Sequence, residues 1–127
     1  MIIGNGVDII ENKRISKSLK IKGFKQRLFT SREIDISKKH KNKVSYFAKR
    51  FAAKEAFVKS IGAGFRNNIN FNDIEVFSTK NGKPKIKISN KVKNFLKKEL
   101  KIKKYDIHLS LSDERSHSIA FVILNKK

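Results

Sequence analysis

Residues 43–61 read Lys-Val-Ser-Tyr-Phe-Ala-Lys-Arg-Phe-Ala-Ala-Lys-Glu-Ala-Phe-Val-Lys-Ser-Ile, and Gly62 follows. This is the longest periodic segment of the chain. At 100° per residue, Val44, Phe47, Ala48, Phe51, Val58 and Gly62 share one face, and Gly62 suits the residue just past a helix end. The spacing predicts a helix over 43–61. Glu55 comes one turn after Phe51 and three residues before Val58, so it is expected inside the apolar stripe. An ionised carboxylate there costs several kcal/mol unless it is protonated, paired or bound to a cation. Lys54 and Lys59 flank the stripe, and Arg50 lies one turn before Lys54. The plainer alternative is an exposed Glu55–Lys59 pair at i,i+4, worth only a few tenths of a kcal/mol.

The other elements are read outward from this helix. Residues 1–10 read as a strand, and a short helix over about 11–20 would bury Ile15 and Leu19. Thr30-Ser31-Arg32-Glu33 fits a capping box opening a brief helix that carries Ile34. A strand over 73–78 leads to Asn81-Gly82, the strongest hairpin signal, which suggests a type I′ turn. The return strand, 84–88, starts at Pro84 and suits an edge. Ser89 or Asn90 can cap a helix built on Val92, Phe95, Leu96 and Leu100, and two strands follow, 106–112 and 118–124. The order predicts an α+β class, an antiparallel sheet packed by helices including one long helix. No repeat or Gly/Pro-rich linker interrupts 1–127, so a single domain is expected.

Asp8 is a second misplaced carboxylate. Val7 and Ile9 share one strand face, Gly6, Asp8 and Ile10 the other. Two glycines before an inward acid suggest close backbone approach, although Asp8 could simply end the strand through local hydrogen bonds. Asp8 and Glu55 together offer two hard oxygen ligands, a set that suits Mg²⁺ completed by water and phosphate oxygens. Arg50, Lys54 and Lys59 would then meet the phosphates. Gly62-Ala63-Gly64 is a helix stop or a place of close ligand approach, and it is not a P-loop. His108 shares a strand face with Ser110 and Ser112; it is a phosphate ligand, a base or a surface residue. No nucleophile elbow supports a Ser-His-Asp triad, and no His spacing forms a metal site.

The chain has 31 Lys and Arg against 11 Asp and Glu, a net charge of +20, and no Cys. Disulfides and thiolate metal sites are therefore excluded. No apolar run approaches the ~20 residues of a membrane span, and the expectation is a soluble cytoplasmic domain. Residues 13–49 carry a net +11 and residues 80–104 a net +10, whereas 50–79 is nearly balanced. Polyanions are the first partner class this suggests, and compositional bias toward lysine is the bland account. A basic nucleic-acid-binding domain without enzymatic activity is the alternative function, but it leaves Asp8 and Glu55 unexplained. Contact of the lysine-rich 90–104 segment with anionic membrane is a weaker idea.

Three blocks carry a resemblance over essentially the whole chain. They are Gly6-Val7-Asp8-Ile9, then Arg50-Phe51-Ala52-Ala53-Lys54-Glu55-Ala56-Phe57 through Lys59 to Gly62-Ala63-Gly64, and Asn81-Gly82-Lys83-Pro84 with His108-Leu109-Ser110-Leu111-Ser112. The sequence resembles the holo-(acyl-carrier-protein) synthases, the small bacterial 4′-phosphopantetheinyl transferases. The resemblance implies transfer of the phosphopantetheine arm of coenzyme A to a serine of apo acyl carrier protein, releasing adenosine 3′,5′-bisphosphate, in fatty acid biosynthesis. It implies that Asp8 and Glu55 hold Mg²⁺; the chemistry of the residues adds that Lys59 would stabilise the leaving phosphate. It further implies that Arg50, Lys59, Gly62, Asn81, Pro84 and His108 line the nucleotide site. Arg14 and Arg27 would meet the acidic carrier, and a homotrimer would place active sites between subunits. One departure is Asp113 after Ser112, where many relatives have histidine.

Overall fold

The chain runs β1 (Ile2–Glu11), α1 (Asn12–Ser18), α2 (Phe24–Leu28), α3 (Ser31–Ser37), α4 (Lys43–Ile61), a 3-10 turn (Phe71–Asp73), β2 (Ile74–Ser78), β3 (Pro84–Ile88), α5 (Asn90–Glu99), β4 (Tyr105–Asp113) and β5 (His117–Lys126). This is the order in the computed structural model, which describes residues 1–65 and 68–127. The α+β class is as expected, but the strands divide into two antiparallel sheets, β1-β5-β4 and β2-β3. The short helix α2 was not legible in the sequence; it starts from Gly23, whose φ of 85° only glycine adopts freely.

Helix α4 has the bounds its periodicity predicts. Asn42 caps it by accepting from the Ser45 N–H at 2.9 Å, and Gly62 ends it at φ 71°. Its burial differs from the expectation. The helix packs on β1, β5 and β4, with α1, α3 and β2 also against it. Thirteen of its 19 residues are buried, so it has no single apolar stripe. Val44, Phe51 and Glu55 are only half-buried, while Lys54 is completely enclosed.

Gly4 and Gly6 make the contact between α4 and β1 possible. A Cβ on Gly6 would lie 1.9 Å from the carbonyl oxygen of Ala56, and one on Gly4 would lie 2.0 Å from that of Ser60. Strand backbone therefore rests directly on helix backbone. Asp8 does not end the strand, which continues through the pairing of Ile10 with Ser118 and Glu11 with His117.

Thr30 and Glu33 form the expected capping box on α3, with bonds of 2.9 and 3.2 Å. The β2–β3 connection is longer than a two-residue turn. The Gly82 N–H donates to the Thr79 carbonyl and the Thr79 N–H to the Lys83 carbonyl, both at 2.9 Å. Gly82 alone of the Asn81-Gly82 pair has positive φ, at 83°, so the loop is not a type I′ turn and matches a three-residue loop closed by a left-handed glycine. Ser89 caps α5, which buries Val92 and Leu96. No helix among the described residues is long and apolar enough to cross a membrane.

Candidate active site

The glycine contact sets the first part of the site. With β1 against α4 at Gly4 and Gly6, Asp8 comes beside the helix residues one turn apart, Glu55 and Lys59. The Lys59 ammonium donates to the Val7 carbonyl at 3.0 Å and to Asp8 Oδ1 at 3.2 Å. The Asp8 side chain is only 17% exposed. Burial, and then the Asp8 carboxylate beside it, hold the Glu55 carboxyl above its ordinary range; Lys59 and Arg14 pull the other way. Arg14, from α1, thus belongs to the electrostatic neighbourhood of the carboxylates.

Asp8 and Glu55 thus bring two half-buried carboxylates together, with Lys59 paired to Asp8 and Arg14 near Glu55. Among the described residues no group of three or more His, Cys, Asp or Glu could hold a metal ion. A cation here would take Asp8 and Glu55 and find its remaining oxygens elsewhere, which is the habit of Mg²⁺. The donor set fits that ion.

The second part is a cleft of about 720 Å³ between α4, the β2–β3 hairpin and β4. Arg50, Lys49 and Lys83 make its wall basic, and His40, Tyr46, Phe77 and Pro84 also line it. Burial, with the nearby Arg50, Lys49 and Lys43, keeps the His40 pKa below its usual value. Arg50 is 5% exposed, and its Nε has no hydrogen-bond partner among the described residues. A guanidinium that lines a basic cleft with its hydrogen bonds incomplete is suited to an anionic oxygen. The volume and the charge fit a nucleotide.

A smaller groove of about 250 Å³ adjoins the cleft at Lys83 and Pro84, which line both, and carries His108, Lys85 and Phe121. His108 and Asp8 lie on opposite faces of one sheet. Asp8 pairs across to Ala120, on the helix side, whereas His108 pairs with Ile123 and through it with Asn5, on the outer side.

The expected residues therefore fall into three places within one chain. Asp8, Glu55 and Lys59 are together, with Gly62 ending the same helix; Arg50 and Pro84 line the cleft, and Asn81 sits in the exposed loop beside it. His108 is on the outer face. Arg27, on α2, lines a separate hollow with Phe65 and Phe71. Lys54 is a correction: it does not reach a phosphate. Its ammonium, unexposed, donates to Glu33 Oε1 at 2.7 Å and to the carbonyls of Ile74 and Phe71 at 2.7 and 3.1 Å. Helical period alone cannot distinguish a lysine that flanks a stripe from one facing a second layer.

Several site residues were not singled out from sequence. Tyr46 and Lys49 gave no signal beyond their place on the helix, and His40 lies outside every element predicted from the sequence. Asp113 has a place too: it accepts from Ser45 Oγ at 2.8 Å and pairs with Lys49 at 3.4 Å, tying the end of β4 to α4 beside the cleft.

Comparison with known proteins agrees along the whole chain. Residues 4–122 match the family model of the 4′-phosphopantetheinyl transferase superfamily. The holo-(acyl-carrier-protein) synthase of Pelagibacter ubique (strain HTCC1062) is 54% identical over 126 residues, covering 99% of this chain and 98% of that one. The crystal structure of the Neisseria meningitidis holo-(acyl-carrier-protein) synthase superposes with a TM-score of 0.88 at 36% identity, over 99% of this chain and 100% of its own. That of the Bacillus anthracis str. Ames enzyme, in complex with coenzyme A (3′,5′-ADP), gives 0.83 at 35% identity, over 100% and 99%.

Proposed function

The chain belongs to the holo-(acyl-carrier-protein) synthases of the 4′-phosphopantetheinyl transferase superfamily, and on that premise we propose how its residues perform the transfer. Coenzyme A is the donor, and a serine hydroxyl of apo acyl carrier protein is the acceptor, in fatty acid biosynthesis. The serine oxygen bonds to the phosphorus that bears pantetheine, and its proton passes to Glu55 or to water. The bridging P–O bond breaks, and its electron pair leaves on adenosine 3′,5′-bisphosphate.

The Asp8–Glu55–Lys59 group is the observation that carries this reading. Asp8 and Glu55 would hold Mg²⁺, which when bound supplies charge neutralisation at the pyrophosphate. The Lys59 ammonium is within bonding distance of Asp8 and more than half exposed, so it can turn toward the leaving phosphate. Arg50 and the basic cleft bind the nucleotide. Positioning and charge matter more here than covalent chemistry, which suits a site without an activated nucleophile of its own. Arg14, next to Glu55, and Arg27 face the acidic carrier, whose serine must arrive beside the carboxylates.

The placement of His108 opposite Asp8 supports an active site shared between copies. The outer face of β1-β5-β4 exposes Ile3, Val7, Ile9, Ile119 and Phe121, between 38% and 59% each. An apolar sheet face of that kind is suited to burial against another copy. In a homotrimer built on it, the His108 side of one chain completes the carboxylate site of the next.

The test is mass spectrometry of apo carrier protein incubated with the chain, coenzyme A and Mg²⁺. A gain of one phosphopantetheine is expected, and Glu55→Gln should lose the transfer while melting as the unaltered protein does. Full activity of Glu55→Gln would refute the assignment of the carboxylates.

A further inference from the structure

We propose that Tyr46 is a positioning residue for the donor: its ring holds the Arg50 guanidinium in the attitude that takes a nucleotide phosphate. The proposal rests on the reading of the basic cleft as the coenzyme A site. Arg50 is almost wholly buried, yet no Asp or Glu among the described residues lies within ion-pair distance of it, and Glu33 acts on it only at longer range. Buried arginines ordinarily have a carboxylate. In its place Arg50 has the face of Tyr46, with the guanidinium carbon 3.8 Å from the ring centroid. One N–H reaches the Tyr46 carbonyl at 3.4 Å, and Nε is left unpartnered.

This difference has a chemical consequence. A carboxylate would occupy the edge of the guanidinium and neutralise its charge. An aromatic face covers the plane and leaves the in-plane N–H groups and the charge for an incoming anion. The ring excludes water from one side of the cation without competing for the ligand.

The ring itself is fixed from several sides. The Tyr46 hydroxyl donates to the Glu33 carbonyl at 2.6 Å, the tilted His40 ring lies 4.6 Å away between centroids, and Phe47 packs edge-on at 5.1 Å. Glu33 is pinned in turn, because its carboxylate accepts from Lys54, the Thr30 N–H and the Val76 N–H. A continuous path of contacts thus runs from the buried lysine through Glu33 and Tyr46 to Arg50 and the cleft. It references the phosphate-facing cation to α3 and β2 as well as to its own helix.

Packing alone would give similar contacts, so the test varies the π electrons and leaves the shape nearly unchanged. Phe, 4-fluorophenylalanine and 3,4,5-trifluorophenylalanine are placed at position 46 of the full chain. The coenzyme A Kd is measured by calorimetry, with kcat and both KM values beside it. The trifluoro residue should raise the Kd and KM for coenzyme A about tenfold over Tyr46→Phe, leaving kcat within about twofold and the carrier KM unchanged. In an Arg50→Ala background the series should be flat. A flat series in the native background, or an undiminished effect without Arg50, overturns the proposal alone. Failure of the unaltered chain to bind coenzyme A overturns the reading of the cleft, and the proposal with it.

Discussion

Replacing Gly6 by alanine adds a single methyl group where strand backbone touches helix backbone. The new Cβ would stand 1.9 Å from the Ala56 carbonyl oxygen and 2.9 Å from its carbon and from the Ser60 nitrogen. A relaxed carbon–oxygen contact is about 3.3 Å, so β1 would have to withdraw by about 1.4 Å. Neither neighbour is a side chain that can rotate away. The cost should lie at or above the upper end of the 1–3 kcal/mol typical of overpacking, or a fall in Tm of about 10 °C for a chain of this size. Asp8 is two residues further along the strand and moves with it, away from Glu55 and Lys59. A displacement of about 1 Å at a reacting centre can cost about 10²-fold, and transfer at a temperature where the protein remains folded should fall by that order. Gly23→Ala is the contrasting control. It meets no atom within 4 Å, so its cost is only the ~1–2 kcal/mol of a left-handed residue. Thermal melting and phosphopantetheine transfer followed by mass spectrometry measure both quantities. A Gly6→Ala protein that melts within 2–3 °C of the parent, or transfers at an unchanged rate, would refute the claim that the bare backbone contact sets the site.

Two other outcomes are expected. Lys54→Met leaves the buried Glu33 carboxylate without its cation and should destabilise the fold by about 3–5 kcal/mol in urea titration; a loss below about 1 kcal/mol would contradict the structural role given to the pair. Phe121→Asp puts a charge in the middle of the exposed apolar sheet face and should keep the proposed homotrimer from forming on analytical ultracentrifugation, the chain being inactive although folded; a monomeric parent, or an oligomer unchanged by the substitution, would refute the assembly on that face.

The sequence was most legible where one local signal decides an element. Helix α4 could be bounded because Asn42 and Gly62 mark its ends and nothing between them breaks it. The capping box at Thr30 and Glu33 was equally direct. Glu33 as a core ion-pair partner was not, since its other contacts, Lys54 and Val76, come from distant segments. The same limit explains Lys54 and Glu55. A single helix projection assumes one buried face, whereas α4 lies between two layers, and only the tertiary arrangement says which polar residues are enclosed. The carboxylate pair was found by the opposite route, because acids at inward positions of a strand and a helix are costly enough to stand out. Tyr46 carried no such anomaly; an aromatic residue on a helix is ordinary until the cation above it is seen. The hairpin was read correctly in place and incorrectly in type, since Asn81-Gly82 fits either loop and the pairing of Ser78 with Pro84 selects the longer one.

The position of β5 bears on how the protein comes into being. It is the middle strand of its sheet, and its partner β1 precedes it by more than a hundred residues. During synthesis the strand carrying Asp8 leaves the ribosome well before β5 and lacks this partner until β5 emerges. Pairing so distant in sequence makes for slow closure, and the waiting strand, rich in isoleucine, is open to wrong partners in the interval. The carboxylate site is therefore among the last features to be completed, and a nascent chain halted before β5 would hold Asp8 without the neighbour strand that fixes it.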